Sequence, residues 1–122
     1  MEEGEFLAKC REKGYSEKDI SIFVKAIGFA REKIGGELRI SGEPAIEHNI
    51  RVGLILVENN SEPKVIISGL LHSLVEHKKE MIDSFGEEVW SMAREVEQIS
   101  EIKNKNQNLQ AEAIKRVLIT TL

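Results

Sequence analysis

Apolar residues recur at helical rather than alternating spacing along nearly the whole 122-residue chain. Ile20, Phe23, Val24, Ile27 and Ile34 fall on one stripe of a helix that Ser16 is placed to cap. A short helix through Glu5 to Lys13 precedes it, and Gly14 ends that helix. Gly35-Gly36 breaks the pattern, and an irregular loop over residues 35 to 43 leads to Pro44, which suits the first turn of a new helix. From Pro44 to Val57, one face carries Ile46, Ile50, Leu54 and Val57. His48 is offset from that stripe, beside Arg51, Val52 and Ile55. Asn59-Asn60-Ser61 predicts a turn, with Ser61 as cap and Pro63 in the first turn of a helix from Glu62 to about His77.

That segment is the densest in apolar residues, with Val65, Ile66, Ile67, Leu70, Leu71, Leu74 and Val75, so it is expected to be central and buried on more than one side. The β-branched run Val65-Ile66-Ile67 admits a strand, but the length of the segment and its Pro63 start favour a helix. Lys78 to Phe85 predicts a short helix with Met81, Ile82 and Phe85 inward. Beyond Gly86 another helix carries Val89, Met92, Ala93, Val96 and Ile99. Residues 103 to 108 form a polar connector, and Leu109 to Leu122 returns to a helical pattern through Ala113, Ile114, Val117 and Leu118. No repeat and no strand stands out. The predicted fold class is all-α: a single bundle of about six or seven helices over residues 1 to 122.

Composition narrows the function classes. With 41% hydrophobic and 31% charged residues, the chain can bury one core but not two. Its 17 basic against 21 acidic residues give a net charge of −4, which argues against general affinity for DNA, RNA or anionic membranes while leaving room for a local basic pocket. No apolar run approaches the roughly 20 residues of a membrane span. The acidic start Met1 to Glu5 lacks the pattern of a signal peptide, so a cytoplasmic protein is expected. Cys10 has no partner for an internal disulfide. Lys9, Arg11 and Lys13 around it slightly favour a thiolate, but it is read as structural.

The run Leu70-Leu71-His72-Ser73-Leu74-Val75-Glu76-His77 gathers the polar chemistry. On a continuous helix His72, Ser73 and Glu76 share a face, with His77 at its edge. On a buried helix such groups need partners or a cavity, because unpaired burial costs roughly 1–3 kcal/mol per group. The alternative is a helix end emerging into water, where His77 and Lys78 favour the dipole.

Three landmarks in order extend the picture. Arg39-Ile40-Ser41-Gly42-Glu43-Pro44-Ala45-Ile46-Glu47-His48, then Leu70 to His77, then Phe85-Gly86-Glu87-Glu88-Val89 resemble the HD hydrolase domain of the RelA/SpoT alarmone enzymes, with the likeness strongest over residues 20 to 122. The family pattern reads R-x-S-G-E-P-Y-x-x-H-P, then L-L-H-D-x-x-E-D, then F-G-x-x-V. The resemblance implies His48 and His72 as metal ligands for a divalent ion, Mn²⁺ in the family. It implies Glu76 and His77 at the place of the Glu-Asp pair that activates water, and Arg39 and Ser41 as contacts to a guanosine nucleotide. The departures are as informative. The doublet's aspartate is Ser73, a poor ligand for a hard cation. The residue after Arg39 is Ile40 rather than a basic one, and the family's tyrosine is Ala45. The family's last aspartate ligand lies beyond the match over Lys115 to Leu122, where the chain ends.

Two imidazoles alone hold a hard divalent ion weakly, although Zn²⁺ or Ni²⁺ with His77 as third ligand remains an option. The first expectation is therefore an HD domain with an eroded metal site, acting as a nucleotide-binding or regulatory domain. The alternatives are an active metal-dependent (p)ppGpp or phosphate-ester hydrolase, and a helical module that pairs with itself or a partner protein through its last helix. For the loop, Ser41 and Glu43 have a second reading as groups that satisfy backbone N–H groups ahead of Pro44.

Overall fold

The computed structural model describes residues 2–102, side chains excepted at the two ends of that range. The polar connector and the last predicted helix lie outside the described residues. Six α-helices follow one another: α1 Glu2–Glu12, α2 Glu17–Ile34, α3 Ala45–Glu58, α4 Pro63–Leu70, α5 Lys78–Phe85 and α6 Glu87–Ile102. A 3₁₀ turn, His72–Leu74, sits between α4 and α5. The only pairing of β type among the described residues is one bridge, Leu38 to Pro44, at the neck of the loop before α3. The all-α bundle expected from the periodicity is borne out. No helix among the described residues is long and apolar enough to cross a membrane.

Local chemistry accounts for most boundaries. Ser16 Oγ accepts from Asp19 N at 3.0 Å and caps α2, as its type and position predict. Gly14, Gly35 and Gly86 end or separate helices with positive φ values of 87°, 60° and 97°. Pro44 stands one residue before α3, as its N-cap, rather than inside the first turn. Ser61 does not cap α4. The N-cap is Glu62, without a side-chain bond, and Ser61 instead offers its carbonyl to Tyr15 Oη at 2.6 Å.

Helix α4 is the centre of the bundle, as its composition predicts. Every residue from Val65 to Leu70 is buried, and the helix packs against α2, α3 and α6. Two glycines set the crossing of α3 and α4. A Cβ at Gly53 would lie 2.5 Å from Leu70 Cδ2 and 3.1 Å from Phe6 Cε1, and one at Gly69 would lie 2.5 Å from Leu56 Cδ1. Each helix thus seats a leucine on the other's bare backbone. Gly53→Val is expected to destabilise the fold by about 1–3 kcal/mol through overpacking, read as a lower denaturant midpoint with an unchanged slope.

Two expectations about packing are corrected, while the structural reading of Cys10 agrees with its burial. Ile50 and Val57 of the expected stripe of α3 are buried, but the buried face also takes in His48, Asn49, Val52, Gly53 and Leu56, whereas Ile46 and Leu54 are only partly buried. His48 therefore belongs to the stripe rather than beside it. Val24 is 41% exposed, since α2 turns Ile20, Phe23, Ala26, Ile27 and Ala30 inward. Burial pushes the Cys10 thiol up to about 11, outweighing the neighbouring Arg11, so the local basic sequence does not produce a thiolate.

The largest correction concerns the segment 62–77, which is not one helix. It stops at Leu70 because side chains capture the carbonyls that a continuing helix would use. His72 Nδ1 bonds Gly69 O at 2.8 Å, and Asn49 Nδ2 donates to Leu70 O at 2.9 Å. Past the 3₁₀ turn, Trp90 Nε1 donates to Val75 O at 3.0 Å. With its acceptors diverted, the backbone leaves the helical path.

Candidate functional site

That early stop opens a pocket of about 200 Å³. Its walls come from the end of α2 (Lys33), the following loop (Glu37 and Arg39), the first turns of α3 (His48 and Asn49) and the segment after α4 (Ser73, Glu76 and His77). The polar residues of the 70–77 run thus converge through a turn rather than on one helical face. Glu76 is exposed and His77 half-buried at the mouth, where His77 Nδ1 lies 3.7 Å from Glu80 Oε1. Ser41 is exposed and does not line the pocket. Its Oγ accepts from Glu43 N at 3.4 Å, the backbone role foreseen as the second reading of the loop.

His48 and His72 form the floor. Each is 2% exposed, and their rings meet edge to face with centroids 5.3 Å apart. Gly69 O can only accept, so His72 carries its proton on Nδ1 and keeps a lone pair on Nε2. Burial holds both rings neutral, His72 down to about 4 and His48 to about 2. The other ring and the guanidinium groups of Arg39 and Arg51 add repulsion at His48. Neither ring nitrogen of His48 has a hydrogen-bond partner, although both are buried.

Arg39 and Glu43 face each other across the loop, with Arg39 Nε 4.0 Å from Glu43 Oε1. Arg51 makes the two-pronged pair with Glu43, Nη2 to Oε1 at 2.7 Å and Nη1 to Oε2. That pair holds the Glu43 carboxyl below the usual carboxylate range and ties the loop to α3. At the other wall Lys33 Nζ reaches Glu80 Oε2 at 2.6 Å, joining the end of α2 to α5.

Asn49 is a polar pocket residue that the pattern of the sequence left unmarked. Its Nδ2 lies 2.9 Å from both Leu70 O and Ser73 Oγ, so one carboxamide clamps α3 to the broken end of α4. The available signal was a polar residue beside His48 one turn from Val52 and Gly53, on what proves to be the buried face.

An HD domain family profile matches residues 26–122, four-fifths of the sequence. The chain belongs to the HD domain family. Guanosine-3′,5′-bis(diphosphate) 3′-pyrophosphohydrolases are among its relatives. The one from Aquifex aeolicus is 36% identical over 101 residues, 80% of this chain and 14% of the relative, and the one from Borreliella burgdorferi is 38% identical over 93 residues, 73% and 14%. The bifunctional (p)ppGpp synthase/hydrolase SpoT of Escherichia coli is 28% identical over 95 residues, again 14% of its length. The resemblance to RelA/SpoT-type HD domains is borne out. This HD domain spans about one seventh of the length of those relatives.

HD-domain hydrolases generally use a divalent metal, and the donor chemistry of the described residues does not fit one. His48 and His72 supply two imidazoles, but among the described residues no group of three His, Cys, Asp or Glu side chains is placed to hold an ion. Ser73, where the HD doublet has its aspartate, brings a neutral hydroxyl already engaged by Asn49. A hard cation such as Mn²⁺ prefers anionic oxygen ligands, and the described floor offers none.

Proposed function

We propose that this HD domain binds a guanosine nucleotide carrying phosphates on its ribose and does not perform conventional metal-dependent hydrolysis. The reading rests on one observation: in a pocket walled by the partly buried Lys33 and Arg39, the place beside His72 that a hydrolytic doublet fills with aspartate holds Ser73. Cations in partly buried positions attract phosphate more strongly than exposed ones, because water screens them less. In this reading Arg39 meets the nucleotide, His48 and His72 form the floor, and Glu76 and His77 border the phosphates without a metal-activated water to direct. Ser41 supports the loop.

The test is calorimetric titration of guanosine tetraphosphate, alongside an assay for pyrophosphate release in Mn²⁺, Mg²⁺ and Zn²⁺. Saturable binding without turnover is expected. Turnover in any of these metals that disappears in His72→Ala would replace the binding reading by the enzymatic one. Arg39→Ala is expected to weaken binding by about 10- to 100-fold, the worth of a charge-assisted hydrogen bond. An unchanged affinity would place the nucleotide elsewhere.

A further inference from the structure

We propose that the floor of the pocket is an oxyanion site that takes phosphate oxygens directly on side-chain donors, with no bridging metal ion. The inference rests on the pocket being a phosphate site and concerns what holds the phosphate there.

Asn49 sets the polarity of Ser73. Leu70 O can only accept, so the atom 2.9 Å away is the carboxamide nitrogen. Its second N–H goes to Ser73 Oγ, also at 2.9 Å. Ser73 thus accepts from Asn49, and its own proton is left to point elsewhere. Ser73 lines the pocket, so this wall offers a hydroxyl donor where a metal site needs an anionic acceptor.

His48 supplies the second, independent observation. The ring lines the pocket, is 2% exposed, and has no partner on either nitrogen. A neutral imidazole carries one N–H, and leaving that donor buried without an acceptor is costly. A phosphate oxygen is an acceptor that satisfies it. A cation does not, because it needs a lone pair.

The surrounding charges agree. Lys33 and Arg39 have side chains only 18% and 20% exposed and each has a carboxylate partner that does not line the pocket, Glu80 at 2.6 Å and Glu43 at 4.0 Å, whereas the carboxylate residues on the pocket itself, Glu37 and Glu76, are exposed to water. Screening weakens the exposed pair more than the sheltered one, so the interior favours an anion. Two neutral donors and two sheltered, ion-paired cations line one cavity, an arrangement suited to an oxyanion.

Inorganic pyrophosphate titrated into the full chain in EDTA is the direct probe. Binding is expected in EDTA and is expected not to strengthen when EDTA is replaced by Mn²⁺, which itself complexes pyrophosphate in solution. Ser73→Ala should weaken it about fivefold, the loss of one neutral hydrogen bond. Ser73→Asp should abolish binding in EDTA, with its fold checked by circular dichroism. The wild-type protein provides a readout independent of any variant: a ¹⁵N imidazole resonance of His48 that moves on saturation with pyrophosphate in EDTA. Binding that requires a divalent ion, no pyrophosphate binding, or an unmoved His48 resonance would each overturn the inference. Guanosine tetraphosphate that binds only with metal overturns this inference and leaves nucleotide binding intact. Pyrophosphate binding without any nucleotide binding does the reverse.

Discussion

Lowering the pH from about 7 to about 5 in metal-free buffer is expected to remove about 3–4 kcal/mol of unfolding free energy. The cause is the pair of buried histidines on the pocket floor. Burial disfavours the charged ring, and holds His72 down to about 4 and His48 to about 2. In the unfolded chain both rings take up a proton near the ordinary value of about 6.5. Between about 6.5 and the folded-state values the unfolded state therefore binds more protons, so stability is full above that window and falls as pH drops through it. Each ring contributes a slope of about 1.4 kcal/mol per pH unit within the window. Glu43 and Glu80, whose carboxyls are also held down, act only at lower pH, below the ordinary carboxylate value.

Guanidinium chloride unfolding followed by Trp90 fluorescence at several pH values measures this slope. His48→Gln and His72→Gln are each expected to halve it. Equal stability at both ends of the window would mean that the floor is not composed of neutral, buried rings.

Phe6→Ala is expected to cost about 3–5 kcal/mol, as for other fully buried aromatics truncated in a core. Among its described side chains helix α1 buries only Phe6 and Cys10 completely, so its attachment depends on the larger of the two. The Phe6 ring meets Phe23 of α2 edge to face at 5.9 Å, and it lies against the bare backbone of Gly53 in α3. Removing it opens a cavity where three helices meet. At about 4–8 °C per kcal/mol for a domain of this size, the melting midpoint should fall by well over 10 °C. Phe6→Leu should recover much of the loss by refilling the volume. Calorimetric melting of the two variants decides the matter, and an unchanged midpoint for Phe6→Ala would show that α1 contributes no net stability.

The sequence by itself determined the helices and their order. Ser16, Gly14, Gly35, Pro63 and Gly86 act within a few residues of themselves, and the 3.6-residue period selects one face per helix, so both are legible without the fold. It also placed Arg39, His48, His72, Ser73, Glu76 and His77 near one another through the resemblance to HD domains, and it marked the loss of the doublet's aspartate. The tertiary structure decided how those residues meet. Helix α4 ends at Leu70 because Asn49, from 21 residues earlier, takes its carbonyl, and Trp90, from 15 residues later, takes that of Val75. No local pattern encodes such distant donors. The same carboxamide makes Ser73 Oγ an acceptor and ties it to α3. Ser41 by contrast serves a backbone group two residues away, a local role legible in the sequence.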